Sequence, residues 1–327
     1  DSRTLEAGQV FVAPRGLYRG EGHGYQPHNL QHAPAAVARG AVAVLYEPEE
    51  GLSIPSLGVP CIAVPHLRER IGELARHYQP YQPPRVVGRT GTDGKTSTAY
   101  LLAQARQVLH QQALGGACAY MGTLGYGLPN ALAPATHTTP EAVAVHSWLR
   151  EFVAQGISEV AMEVSSHALH QHRVSGVPFD VAVLTNITRD HLDYHGTREA
   201  YVAAKKQLFV EATPRITVLN SDDPTAQQWL AELPHAITYG FGAAVSQHAY
   251  IRCASLQPST RGLTLTLDTA WGQAELQSAL LGRFNAYNLM AALAVLLAQG
   301  VSFASALHAL EQAPTVPGRM EAYFGSQ

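Results

Sequence analysis

The sequence predicts an α/β protein: a small N-terminal α/β domain, then a larger domain whose mainly parallel sheet is flanked by helices, with a small antiparallel subdomain near its end. Three observations predict it. From residue 86 onward, short β-branched runs alternate with helical patterns, which implies βαβ units and helices on both faces of a sheet. The stretch "QPYQPPR" at 79–85 holds three prolines and separates two structured blocks. Residues 247–281, by contrast, alternate with period two around turns, as an antiparallel hairpin does.

Taken in order, "GQVFVA" (8–13) and "GAVAVLYE" (40–47) read as strands of the first block, and 66–78 as its helix. After the proline-rich linker come the runs "RVVG", "ACAYMG", "EVAMEV", "DVAVLT" and "ITVLN". Helices are expected between them at 95–112, 139–155, 199–211 and 223–232. Two more follow the antiparallel segment, at 284–299 and 302–313; Leu289, Leu293, Leu296 and Leu297 form one stripe on the first.

Composition narrows the function classes. Of 327 residues, 46% are apolar and 14% charged, enough for a sizeable core. The net charge of −3, without a basic run, argues against nucleic acid as the main partner. Cys61, Cys118 and Cys253 are too far apart for a disulfide framework or a cysteine zinc site, and fit a reducing cytoplasm. No apolar stretch reaches the ~18 residues of a membrane span. The chain opens at Asp1 without methionine, and we expect its extreme N-terminus to be missing.

The chemistry starts at "VVGRTGTDGKTSTAYLL" (86–102). Val86 and Val87 end a buried strand, and Leu101, Leu102, Ala105, Val108 and Leu109 recur at helical spacing. A glycine-rich loop between strand and helix turns backbone N–H groups and the helix N-terminus toward an anion. Lys95 supplies a point charge for the β/γ-phosphates, and Thr96 a hydroxyl for Mg²⁺. The generic phosphate-loop pattern wants glycine where Arg89 stands, and Asp93 precedes Gly94. On a helix over 199–211, Tyr201, Ala204, Lys205, Leu208 and Phe209 share one face. Lys205 therefore points inward, where an ammonium needs a partner or a chemical change, while Lys206 lies about 100° around. A lysine that snorkels to solvent is the alternative. Glu163, at the end of "EVAM", can hold Mg²⁺ or sit in a salt bridge. His167, His170 and His172 invite zinc, but no carboxylate or cysteine completes a set.

"TGTDGKT" resembles the T-G-T-N-G-K-[ST] loop of the Mur ligase family, ATP-dependent amide-forming enzymes of peptidoglycan synthesis. "THTTPEA" (136–142), "AMEVSSHALHQHRV" (161–174), "TNITRDHLDYHGTREAYVAAKKQLF" (185–209), "GRFNAYNLMAAL" (282–293) and "PGRME" (317–321) follow in the family's order. "DSR" (1–3) and "GQVFVA" are similar to its N-terminal domain, and the long middle stretches to its tripeptide-synthetase (MurE) type. The resemblance implies a UDP-sugar-binding domain at 1–82, a central phosphate-loop domain at 83–320, and at 321–327 the start of a hinge to a further domain. With the chain ending at Gln327, we expect the nucleotide and UDP-sugar sites without full ligase activity.

The resemblance also implies roles. Gly91, Thr92, Asp93, Gly94, Lys95, Thr96 and Ser97 would cradle ATP, with Asn285 and Asn288 on the adenine side and Arg319 at the hinge. Thr96 and Glu163 would hold one Mg²⁺. His191 and a carbamylated Lys205 would hold a second, supported by Asn186 and Asp190; Asp190 as a helix cap and His191 as a surface histidine is the alternative. Lys95, Glu163, His191 and Lys205 would be the catalytic set. Ser2, Thr138, Thr139, Ser165, Gln171 and Arg173 would contact the substrate; Leu17 departs from relatives that carry histidine there. The implied partners are UDP-MurNAc-L-Ala-D-Glu and a diamino acid, on a cytoplasmic monomer. A folylpolyglutamate synthase, a MurT-type chain and a non-catalytic nucleotide-binding regulator are the alternatives. We expect Asp93 to face away from the phosphates and to fix its turn through Asx-type bonds.

Overall fold

The computed structural model describes residues 2–3, 5–20, 24–243 and 248–319; the expected hinge at 321–327 lies outside the described residues. The first block runs β1 (Val10–Ala13), a 3₁₀ turn (Asn29–His32), α1 (Ala33–Ala38), β2 (Ala43–Tyr46), β3 (Cys61–Ala63) and α2 (Leu67–Tyr78). Its three strands are parallel in the order β1-β2-β3. Phe11, Ala13, Leu30, Ala36 and Val44 form a small core beneath them.

The second block begins with β4 (Arg85–Thr90), α3 (Lys95–Gln111), β5 (Cys118–Gly122), β6 (Gly125–Leu128), β7 (Ala131–Ala133), α4 (Ala142–Ala154) and β8 (Glu159–Glu163). It continues through α5 (Ser166–His170), β9 (Phe179–Leu184), α6 (Leu192–His195), α7 (Arg198–Val210), β10 (Ile216–Asn220), α8 (Pro224–Trp229) and β11 (Ile237–Gly240). Then come β12 (Tyr250–Ser259), β13 (Gly262–Thr269), β14 (Gly272–Ser278), α9 (Arg283–Ala298) and α10 (Phe303–Glu311). Eleven strands form one sheet in the order β14-β13-β12-β11-β10-β9-β4-β8-β5-β6-β7. From β12 to β5 every pairing is parallel. Both flanks turn antiparallel, β12-β13-β14 on one side and β5-β6-β7 on the other.

Alternation along the central strands feeds two cores. Val87, Ala161, Val181 and Val183 face α3, α9 and α10, whereas Val86, Val160, Met162, Ala182 and Leu184 face α4, α7 and α8. A strand covered on both faces reads as a continuous apolar run, which is why these segments stand out in the sequence.

Beyond short elements the sequence reading leaves out, such as β3, β11, α1, α5 and α6, the structure differs from it in three ways. The period-two segment is three strands rather than a hairpin, and β12 joins it to the main sheet through β11. The strands β6 and β7, built from "GYGL" and "ALA", carry too few β-branched residues to announce themselves. And α9 is buried on all sides from Asn288 to Leu297, not along one stripe, because α3 and α10 pack on the faces the sheet leaves open.

The topology places the site. The chain leaves β4, returns beside it as β8, then crosses to its other side as β9. Loops following these three parallel strands therefore meet at one sheet edge, at a point where strand order reverses.

Candidate functional site

The loop 91–94 joins β4 to α3. Gly94 caps α3 with φ of +79°, a left-handed conformation that glycine adopts without penalty. A Cβ there would also stand 2.7 Å from Asn288 Oδ1, so the position excludes any side chain. The long dry helix behind the loop is buried from Thr96 to Arg106 and leaves its N-terminus as the polar end of an apolar layer. Lys95 Nζ folds back and donates to the Gly91 and Thr92 carbonyls at 2.9 and 2.7 Å.

Lys205 reaches the same place from α7. The buried face of α7 is Tyr201, Ala204, Lys205, Leu208 and Phe209, the stripe read from spacing. Lys205 Nζ donates to the Gly91 carbonyl at 2.7 Å and lies 4.5 Å from the Tyr201 ring centre. Burial first, then the neighbouring Lys95 charge, depress its ammonium well below the ordinary lysine range; Asp190 and Asp93 oppose this. Burial lowers Lys95 as well, against the pull of Glu163, Asp93 and Asp190. Lys206, one position on, is bound to Glu232 at 2.6 Å on the surface.

Glu163 ends β8, 1% exposed. Its carboxylate accepts from Thr96 Oγ1 at 2.9 Å, the Thr123 N–H at 2.9 Å, Thr123 Oγ1 at 3.3 Å and the Tyr120 hydroxyl. Burial first, then Glu163, push the Tyr120 hydroxyl far up, so it remains a donor. Sequence reading missed both Tyr120 and Thr123. They reach Glu163 only because β5 pairs with β8, which no local pattern announces.

The third loop follows β9. Asn186 accepts the Asp93 N–H on its Oδ1 at 3.0 Å, and its carbonyl accepts the Thr92 N–H at 2.8 Å. Thr185 Oγ1 donates to the Asp93 carbonyl at 2.6 Å. These bonds fix the turn. Among the described hydrogen bonds none is accepted by the Asp93 carboxylate, and Asp93 borders the cavity beside Lys95. The expected Asx-type bonds are thus corrected: Asn186 and Thr185 do that work. His191 has φ of +51°, unusual for a residue with a side chain, and Asp190 accepts its N–H at 2.9 Å. Its ring stands 4.8 Å from that of His167. His167, His170 and His195 cluster with Tyr194, yet among the described residues no group of three metal-ligating side chains is placed to hold an ion.

Thr92 to Thr96, Glu163, His191, Lys205 and Arg319 border one cavity of about 210 Å³, with Ser97, Thr138 and Ser165 on its wall. Ser165 also caps α5, accepting the Ala168 N–H at 3.1 Å. Thr139 lies behind, donating to the Glu163 carbonyl at 2.8 Å. Ser2, Leu17, Gln171 and Arg173 border a second, larger cleft of about 1320 Å³, lined by β1 and residues of α2 from the first block and by α4 from the second. Arg173 is held there by Gln171 Oε1 at 2.8 Å, the Thr139 carbonyl at 3.1 Å and Glu141 at 3.1 Å. Asn285 and Asn288 are not on either wall. Asn288 accepts from Thr98 Oγ1 at 3.0 Å and donates to Asn285 at 2.8 Å, bracing α9 against the start of α3.

Comparison with known proteins bears on the family and the fold. Residues 90–296 match the family model of the Mur ligase middle domain. A UDP-N-acetylmuramoyl-L-alanyl-D-glutamate–2,6-diaminopimelate ligase of Alkalilimnicola ehrlichii is 45% identical over 99% of this chain and 64% of its own length. The protein of that name from Coxiella burnetii is 38% identical over 98% of this chain. A solved structure of a ligase of that name superimposes with a TM-score of 0.84 at 33% identity, covering 100% of this chain and 64% of that one. A MurF ligase of Thermotoga maritima in complex with ADP shares the fold, with a TM-score of 0.64 at 20% identity. The chain spans about 64% of the length of these curated relatives. With the matched segment running from the end of β4 into α9, the chain belongs to the Mur ligase family.

Proposed function

We propose that this chain holds the nucleotide and UDP-sugar sites of an ATP-dependent acid–amino-acid ligase. The reaction adds a diamino acid to the D-Glu carboxylate of UDP-MurNAc-L-Ala-D-Glu. The relatives' printed names make 2,6-diaminopimelate the amino acid of choice. In the first step a carboxylate oxygen bonds to the γ-phosphorus as its bond to ADP breaks, giving an acyl phosphate. The amine then attacks the acyl carbon, phosphate leaves, and UDP-MurNAc-tripeptide remains. One observation carries the reading: Lys95, Thr96, Glu163 and Lys205, from three separate chain segments, meet around one cavity at the ends of parallel strands.

Each residue then has a task. The loop N–H groups and Lys95 would take the phosphates, with Lys95 leaving the Gly91 and Thr92 carbonyls to do so. Magnesium fits the donors present, since the Thr96 hydroxyl and the buried Glu163 carboxylate are oxygen ligands 2.9 Å apart. Bound there, it would neutralise charge on the phosphate oxygens. Lys205, its ammonium depressed by burial, offers the neutral amine that adds CO₂ and releases a proton to become a carbamate. With His191 it would hold a second ion. Gln171, Arg173 and Ser2 would bind the UDP-sugar peptide in the large cleft, with Thr138 and Ser165 leading its carboxylate to the cavity. The domain limits 1–82, 83–320 and 321–327, and a monomeric state, complete the proposal.

Calorimetric titration of the chain with UDP-MurNAc-L-Ala-D-Glu and with a non-hydrolysable ATP analogue tests it. Both should bind. Lys95→Ala should lose only the nucleotide and Arg173→Ala only the UDP-sugar. Nucleotide binding without UDP-sugar binding would instead favour a nucleotide-binding regulator.

A further inference from the structure

The Glu163 carboxylate is gripped unevenly. Its Oε1 accepts from the Tyr120 hydroxyl and the Thr123 N–H, whereas Oε2 accepts only the rotatable hydroxyls of Thr96 and Thr123. The donors on Oε1 cannot easily move. Tyr120 is fully buried in β5, its ring edge-on to Tyr100 at 5.2 Å, and its oxygen also accepts the Leu124 N–H at 3.2 Å. Thr123 N is backbone at the end of the same strand. β5 runs parallel to β8 with Met121 opposite Met162, which brings Gly122 alongside Glu163. A Cβ on Gly122 would fall on Glu163 Oε1 and the Tyr120 hydroxyl, so glycine is what lets phenol and carboxylate meet.

We propose that Tyr120 is a positioning residue: by pinning Oε1 it turns Oε2 toward Thr96 and leaves that one oxygen to face the magnesium ion of the bound nucleotide. The inference rests on reading the cavity as a magnesium–nucleotide site. A carboxylate held on one oxygen by two fixed donors is oriented before the metal arrives. Without the phenol it keeps one fixed donor and can turn about its last torsion, and loss of such a supporting partner typically costs 10- to 100-fold in metal affinity. Tyr100 is the internal control. Its hydroxyl donates to the Pro129 carbonyl at 2.7 Å and is not bonded to Glu163.

The test is ADP titration of the chain with and without Mg²⁺, for the unaltered protein, Tyr120→Phe and Tyr100→Phe. Tyr120→Phe should keep its metal-free ADP affinity within about twofold and need at least about tenfold more Mg²⁺ to gain the metal-enhanced affinity; Tyr100→Phe should need no more than the unaltered chain. Mn²⁺ binding followed by electron paramagnetic resonance should show the same shift. An unchanged metal requirement in Tyr120→Phe would overturn the inference alone, and so would equal losses with and without metal. Absence of any Mg²⁺ effect in the unaltered chain would overturn the nucleotide-site reading and this inference with it. Should Tyr120→Phe fail to fold, a crystal structure of the unaltered chain with Mg–ADP decides: metal on Oε2 with Tyr120 still on Oε1 supports the proposal, and metal on Oε1 sinks it.

Discussion

Asp93 stands one residue before the glycine that starts α3, exposed, on the wall of the cavity that Lys95 enters. Its carboxylate would repel bound phosphates, and no described hydrogen bond ties it elsewhere. Asp93→Asn should therefore raise ATP affinity several-fold at low ionic strength, with the gain shrinking as salt is added. A gain that ignores salt would point away from charge. Lys205 presents the opposite case, a cation too buried to stay charged comfortably. Incubation with carbon-13 bicarbonate should give a carbamate signal by nuclear magnetic resonance. The signal should vanish in Lys205→Arg, and any ligase turnover measured beside it should fall on the order of a hundredfold. Lys205 was legible because a helix has a period: its neighbours on the stripe are apolar, so the lysine among them stands out. Tyr120 was not, because its partner lies on another strand and nothing within "ACAYMG" distinguishes it from a core aromatic.

At the scale of elements, α3 and α9 are locked by polar atoms inside an apolar layer. Thr98, Asn288 and Asn285 form a chain of hydrogen bonds with every member at least nine-tenths buried. Asn288→Ala leaves the Thr98 hydroxyl and the Asn285 carbonyl oxygen without partners, which should cost about 1–3 kcal/mol by urea denaturation. Adding Thr98→Val should cost less than the sum of the two single changes, since it removes a group already orphaned. The motif "FNAYN", which the resemblance assigns to the adenine side, also sets its two asparagines against the start of the phosphate-loop helix, and the apolar stripe gives no hint that α9 is enclosed on all sides. Parallel strands were read correctly for a physical reason: coverage on both faces makes them uniformly apolar. The flanking strands β6 and β7, only four and three residues long and without β-branched side chains, lack that signature.

For the whole molecule, acid is the expected weakness. Burial first, then neighbouring histidine charges, hold His167 and His195 down to about 4 from an ordinary 6.5. Between those values the unfolded chain binds more protons than the folded one. Their contribution is therefore complete above about pH 6.5 and is lost as pH falls toward 4. Urea midpoints measured across that range should decline, and the decline should flatten in a His167→Gln, His195→Gln variant. A different consequence follows from β4 lying between β8 and β9. Lys95, Glu163 and Lys205 are separated by long stretches of chain, and the strands that align them can pair only by closing long loops. Nothing short of the assembled sheet can grip a nucleotide. Saturating Mg–ADP should accordingly leave the refolding rate alone and slow unfolding, so that the ligand acts on the lifetime of the native state rather than on the speed of reaching it.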